Sequence, residues 1–380
     1  MSFRDVLQPG TGTIRSEHYL PATLETVFWG RLPCASDVGV LTIDAGTEVT
    51  IDTISHEGVL EDQGRNPAAF FGAHGVDREN VLDDAVELAA SDFSRNPRVD
   101  GPHVVTGPIH VRGVRPGDLL KMTLIEAIPR VPYGIISNRH GKGALAGEFP
   151  LGSDNVSIFA EVDAADGSEH EPAGTLVGTL PLVPGGERVV RFPLHPFLGI
   201  MGVAVAGEQR AHSVPPGAHG GNIDINLLTV GSSLYLPVQV PGALAYVGDP
   251  HFAQGDGEVA LTAMEASLRV TVRFDVIPAA DALASFGALA GPLAETAEFL
   301  VPTGLNEHLD EAMRECVRAA IALLGARYGM EPALAYAYLS AATDFNISQV
   351  VDLVTGVHAR IRVADFVGAG LVRDRAEASS

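Results

Sequence analysis

The sequence predicts a β-dominant protein, all-β to α+β, with a sandwich- or barrel-like core and helices gathered near the C-terminus. Three observations carry this. Residues 267–277, SLRVTVRFDVI, alternate apolar Leu268, Val270, Val272, Phe274 and Val276 with Arg269, Thr271, Arg273 and Asp275. That is the period-two pattern of a strand with one solvated face. The 42 glycines and 25 prolines are spread through the chain and punctuate many short strands and tight turns. Helical periodicity is concentrated after residue 300.

The elements follow in order. Residues 38–54 read as two strands around Asp44-Ala45-Gly46, and residues 78–90 as a short helix. Residues 119–125 (LLKMTLI) and 234–240 (LYLPVQV) read as strands; Pro237 lacks a ladder donor and places the second at a sheet edge or bulge. Residues 163–186 are polar and glycine-rich, an exposed hairpin or loop. Residues 306–324 carry Leu309, Met313, Cys316, Val317, Ala320, Ile321 and Leu324 on one stripe, with Gly325 as the stop. A second helix is expected over 331–342. A third is expected over 347–355, capped by Asn346 with Gln349 bonding back and ended by Gly356. The organisation expected is a β-rich core over 1–300 with a helical part, 301–380, packed on it.

Bulk properties restrict function. A chain with 46% hydrophobic and 19% charged residues is not a disordered one. The formal charge is 25 − 47 = −22. Such a surface repels phosphate backbones and anionic lipid, so nucleic acid and membrane are not expected partners. Anionic substrates are disfavoured too, unless a local basic pocket or a metal overrides the field. A neutral or cationic small molecule is expected. The run 192–207 is broken by Pro193, His195 and Pro196 and is too short to cross a bilayer. The opening MSFRDVLQPGTG has no apolar signal core, and a cytoplasmic location is expected. Cys34 and Cys316 belong to no motif and read as buried free thiols. No Walker loop, HExxH, paired CxxC or GxSxG is present.

Residues 248–258, GDPHFAQGDGE, crowd Asp249, His251, Asp256 and Glu258 among glycines. Imidazole and carboxylate suit divalent ions, and the two-residue spacing of Asp249 and His251 puts both on one face of a strand. Gly255 and Gly257 let the backbone bring Asp256 and Glu258 close. The same residues also make an acidic surface turn, and composition alone leans that way. A second cluster, GAHGGNID over 217–224, holds His219, Asn222 and Asp224, and shifts the balance. Its residues also suit ordinary Asx turns. TISHEGVLEDQG (53–64) offers His56, Glu57, Glu61 and Asp62 as acid, base or ligand, or as a polar loop. In GPHVVTGPIHVRG (101–113), His103 precedes a Gly-Pro turn and His110 lies on an outer sheet face. His195 reads as a satisfied buried histidine rather than a ligand, with a pocket wall as the alternative.

GPIHVRGVRPGDLLKMTLIEAIP, HGGNIDI, SSLYLPVQVPGALAYVGDPHFAQGDGE and ISQVVDLVTGVHARI, in that order, resemble the acetamidase/formamidase family. The match runs from about residue 100 to 362. It implies a β-sandwich-like fold with added helices, hydrolysis of short neutral aliphatic amides or lactams, a divalent metal (zinc, or else calcium) and a homo-oligomer. By position it transfers Asn222, Asp224, Asp249, His251, Asp256 and Glu258. Pro250 departs from the larger residue expected between Asp249 and His251, and SHEGVLEDQG follows the family pattern less closely. On this resemblance Asp249 and His251, with His219 or His103, are expected to hold the metal. Glu258 is expected to shuttle the proton, with Asp256, Asp224 and Asn222 beside it. A metal-free carboxylate amidase and a non-catalytic small-amide-binding β protein are the alternatives.

Overall fold

The computed structural model describes residues 5–370 except 140, 153, 166 and 168–173. Two sheets are built from the alternating segments. The nine-stranded sheet runs, edge to edge, His18–Leu20, Thr47–Asp52, Leu268–Ile277, Leu119–Pro129, Ser233–Pro237, Leu293–Glu295, Phe299–Asn306, Thr355–Arg362 and Asp344–Gln349. The eleven-stranded sheet runs Val189–Pro193, Leu176–Pro181, Val156–Ala164, Tyr133–Asn138, Met264–Glu265, Ala245–Ala253, Phe197–Gly202 and Gly220–Asn222. Val104–Val111 also pairs with Ala245–Ala253 and carries Val27–Trp29 and Leu41–Ile43.

One apolar cluster draws side chains from both sheets. Val49, Met122, Val270 and Phe274 come from the first, and Ile109, Ile135, Phe197 and Val247 from the second. This makes the β-sandwich layering expected. A second cluster lies between the nine-stranded sheet and the helices. Ala294 and Val301 join the first cluster while Leu293 and Leu300 join the second, so successive residues serve opposite faces. Leu309–Tyr328 packs here because Gly304 is bare: a Cβ would meet the Ala312 carbonyl at 2.0 Å. The helix runs past Gly325 and ends at Gly329, which takes φ 68°. Pro332–Ala342 is the second expected helix. Both cysteines are free and buried. Among the described residues no helix is long and apolar enough to cross a membrane.

The structure departs from expectation in several places. Residues 347–355 do not form a helix: Asp344–Gln349 and Thr355–Arg362 form a hairpin whose turn has positive φ at Asp352 (52°) and Leu353 (64°). The β-branched Ile347, Val350, Val351, Val354 and Thr355 suit strands, and the sheet edge supplies the partner. Ser233–Pro237 is not an edge strand; it lies between Leu119–Pro129 and Leu293–Glu295, with Pro237 at its last position. The face of Leu268–Ile277 expected in solvent is partly sealed, with Arg269 and Thr271 fully buried. Arg269 is neutralised there by Asp52 at 2.6 Å. His195 is exposed rather than buried. The helix expected over 78–90 is confined to Asp83–Ala90. The polar stretch 163–186 closes the Val156–Ala164 and Leu176–Pro181 hairpin; 166 and 168–173 of it, and 371–380 of the expected C-terminal part, lie outside the described residues.

Candidate metal centre

Strand ends from both sheets deliver one buried cluster. Asp249 and His251 sit on Ala245–Ala253, as their spacing predicts, with Asp249 Oδ2 3.1 Å from His251 Nε2. Phe197–Gly202 separates this strand from Gly220–Asn222, and Ile200 pairs with both Gly248 and Asn222. The loops bearing Asn222 and Asp224 therefore flank Asp249. Gly199, on the intervening strand, is the floor. A Cβ there would lie 2.5 Å from Asp224 Oδ1 and 2.7 Å from Asp249 Oδ2. His56 and Glu57 arrive from the end of Thr47–Asp52, His103 from the start of Val104–Val111, and Glu265 from Met264–Glu265. Asp352 reaches in from the hairpin turn that replaces the expected helix.

Three histidines turn one nitrogen towards Asp249 and commit the other to an oxygen. His251 Nδ1 faces Gln254 Oε1 at 3.0 Å. Gln254 is oriented by donating Nε2–H to the carbonyls of Asp224 (2.9 Å) and Ser348 (3.2 Å), so its oxygen must accept. His103 Nδ1 faces the Ser213 carbonyl at 3.2 Å, leaving Nε2 3.9 Å from Asp249 Oδ1. His56 Nε2 faces Glu57 Oε1 at 3.3 Å, leaving Nδ1 3.3 Å from Asp249 Oδ1. Glu57 also accepts from Ser137 Oγ (2.7 Å) and from Gln63. Lone pairs of imidazole and carboxylate cannot face one another without a positive charge between them.

At His56 and His251, in the protein alone, that charge is a proton. Burial opposes a charged His56, but Asp249 and Glu57 outweigh it and raise its pKa to about 10. Burial pushes the Glu57 carboxyl up, and His56 pulls it down to about 2. His103 shares the Asp249 oxygen with His56, and burial drives it down to about 4. Burial also acts against ionised Asp249, yet His103 and His251 hold it well below the usual range. On the opposite wall the acids crowd one another. Burial, reinforced by mutual repulsion, raises Asp224 and Glu258 well above normal, and burial lifts Asp352 to about 7.

These donors fit a divalent cation. Imidazole nitrogens and carboxylate oxygens group as His56–His103–Asp249, Asp224–Asp249–His251, His251–Glu258–Glu265 and Asp224–Glu258–Asp352, each within 4.8 Å. Oxygens of Asp224, Asp249, Glu258 and Glu265 and the Asn222 amide oxygen are buried without a hydrogen-bond partner. Histidines whose far nitrogen is fixed by an oxygen acceptor are the usual surroundings of a metal ligand. Asp224, Asp249, Glu258 and Asp352 also share a left-handed backbone, φ 46°, 48°, 46° and 52°. Such conformations cost about 1–3 kcal/mol each and collect at functional sites.

Of the residues singled out in the sequence, Asn222, Asp224, Asp249, His251, Glu258 and His103 meet here. His219 and Asp256 do not. Gly220 and Gly221, at φ 82° and 77°, turn the chain between His219 and Asn222, and His219 belongs to none of the donor groups. Asp256 is exposed and pairs with Arg360 at 2.9 Å. His110 is half-buried beneath Gly242. Glu265 lies in none of the quoted motifs, and Asp352, although inside ISQVVDLVTGVHARI, falls in a segment expected to be helical and is not among the candidate residues. The centre opens into a cavity of about 670 Å³ lined by His56, His103, Asn222, Asp249, Glu258 and Glu265. A larger cavity, about 860 Å³, shares only Glu258 and Thr262 with it and holds none of the histidine–Asp249 set. The donor cluster opens into the smaller one.

Fold and centre together define a β-sandwich protein with a buried histidine–carboxylate centre open to a small-molecule cavity. The family model for the Acetamidase/Formamidase family matches residues 76–212 and 203–363, and the chain belongs to that family. It is 32% identical over 193 residues to a formamidase of Methylophilus methylotrophus, covering 41% of this chain and 47% of that protein. It is 29% identical over 204 residues to an acetamidase of Mycolicibacterium smegmatis, covering 41% and 49%. The chain thus spans about half the length of these curated relatives. A crystal structure of an acetamidase from Bacillus halodurans superposes with a TM-score of 0.69 at 24% identity, over 93% of this chain and 99% of that one, a likeness of fold.

Proposed function

We propose that this protein hydrolyses the C–N bond of a carboxamide, releasing carboxylate and ammonia, at a metal centre. One observation carries the reading: three histidines, each with its far nitrogen fixed, converge on Asp249 beside a wall of buried acids. His56, His103 and His251 with Asp249 would hold the ion. Nitrogen-rich ligation favours zinc over calcium, which takes oxygen donors. When bound, such an ion supplies a Lewis acid that polarises an amide carbonyl and acidifies water.

The chain's own groups supply the rest. Asn222 Oδ1 is buried and unpartnered, free to accept the substrate's amide N–H. Glu258 Oε2 is likewise unpartnered. It takes a proton from the attacking water as the oxygen–carbon bond forms, and returns it to nitrogen as the carbon–nitrogen bond breaks. Burial, reinforced by the neighbouring acids, makes Glu258 a weaker acid than a free glutamate, which suits a group that both takes and returns a proton. Asp224 and Asp352 sustain that crowding. Asp256, outside the cluster, serves in this reading to hold Asn346 and Arg360 against the 254–262 loop. Homo-oligomerisation belongs to the same proposal and is read by light scattering.

The test is ammonia release from formamide, acetamide, propionamide and a lactam panel. It compares protein as prepared, chelator-stripped, and reloaded with zinc or calcium, with metal content measured on each sample. Full activity in stripped protein would transfer the chemistry to the carboxylates. No ammonia from metal-loaded protein would leave a binding protein.

A further inference from the structure

The net charge of −22 argues against an anionic ligand, yet the cavity mouth is locally cationic. Arg95, Arg98, Arg139 and Lys142 line it, against Glu61, Asp62 and Asp100. Each of those acids is already engaged. Glu61 pairs with Arg95, Asp62 with Arg139 at 2.9 Å, and Asp100 with Arg31 at 2.7 Å. Arg98 and Lys142 are exposed and have no acidic partner among the described residues. The free charge at the mouth is therefore positive, in a chain with 47 acids and 25 lysines and arginines. His212, on the same wall, is pushed down in pKa by burial and by Arg31, Arg95 and Lys142, with Asp100 opposing.

A ladder of contacts joins this mouth to the centre. Arg139 Nη1 is 3.4 Å from Glu57 Oε1, Glu57 Oε1 is 3.3 Å from His56 Nε2, and His56 Nδ1 is 3.3 Å from Asp249. Leu60, Leu261 and Val351 also line the cavity and offer apolar wall. A volume of about 670 Å³ suits a much larger ligand than acetamide, which has a single methyl beyond its carbonyl.

Resting on the amidase reading, we propose that the cavity takes carboxamides bearing a carboxylate at the far end of a short aliphatic chain, with Arg98 and Lys142 as specificity-determining groups at its rim. The reacting amide lies at the Asp249 end and the carboxylate at the mouth. A local positive field focuses anions towards the opening despite the acidic surface, and screening weakens it.

Three amides of equal length test this: butyramide, succinamate and 3-aminopropanamide, which end in methyl, carboxylate and ammonium. Metal-loaded protein should give kcat/KM in the order succinamate, butyramide, 3-aminopropanamide, with the extremes at least about tenfold apart at low salt. The succinamate-to-butyramide ratio should fall several-fold in Arg98→Gln/Lys142→Gln and on adding about 0.5 M NaCl. Both residues are exposed, so the variant should fold; circular dichroism checks it. Equal rates, a preference for the ammonium substrate, or a ratio unchanged in the double variant would overturn the charge assignment while leaving an amidase. Absence of ammonia from all three, and from the formamide panel, would remove the amidase reading and this proposal with it.

Discussion

Gln254 turns its amide oxygen to His251 Nδ1 at 3.0 Å, while its amide nitrogen is held by the carbonyls of Asp224 and Ser348. One side chain thereby fixes the tautomer of His251 and ties the 344–349 strand to the centre. Gln254→Met keeps the bulk and removes the acceptor. Loss of a partner of this kind typically costs about 10–100-fold in metal affinity or activity. Metal titration and ammonia release on the same sample should both fall. Unchanged metal affinity would remove Gln254 from the role.

Gly199 leaves the space in which Asp224, Asp249 and His251 meet. In Gly199→Ala the new methyl would lie 2.5–2.7 Å from atoms of all three. Overpacking of this kind costs about 1–3 kcal/mol. We expect a folded protein, by circular dichroism, with a denaturation midpoint moderately lowered and amidase activity lost.

Glu258→Gln retains shape but cannot carry the proton. Loss of a general acid–base typically costs about 10²–10⁴-fold, and the loss should fall in kcat. Metal content should persist, since the histidines and Asp249 remain; its loss would instead make Glu258 a ligand.

His358 is buried and His219 half-buried, each with a buried ring Nε2 lacking a partner, and loss of solvent lowers both to about 4. Unfolded histidine titrates near ~6.5, so between these values the unfolded chain binds more protons. Their contribution is complete above pH ~6.5 and is lost as pH falls towards 4, at about 1.4 kcal/mol per pH unit for each. The site carboxylates with raised pKa act in the opposite sense. The wild-type minus His219→Gln difference in unfolding free energy, followed from pH 7.5 to 4.5, isolates the histidine. A flat difference would contradict the assignment.

Arg269 and Asp52 form a fully buried bidentate pair at 2.6 and 2.9 Å, and Tyr19 donates to Asp52 at 2.6 Å. Asp52→Ala strands a buried guanidinium, and such losses cost about 3–5 kcal/mol. The urea midpoint should fall accordingly.

The sequence by itself determined the β-rich class, most of the strands, the helices Leu309–Tyr328 and Pro332–Ala342, and two loops that carry the centre. Period-two alternation and glycine-rich turns are local signals, and Asp249 and His251 share a face because their spacing is local too. The way those loops meet was not local. Residues 234–240 lie between them in sequence, yet Ser233–Pro237 belongs to the opposite sheet, and Phe197–Gly202, an apolar run without a motif, brings Asn222 beside Asp249. Sheet pairing likewise turned the expected helix over 347–355 into the hairpin that delivers Asp352. Asp256 and His219 looked equivalent to their neighbours in sequence, but glycines at positive φ sent their side chains elsewhere. The sequence supplied the donor types. Which donors converge was decided by long-range strand pairing, because a sheet brings together residues that no spacing along the chain relates.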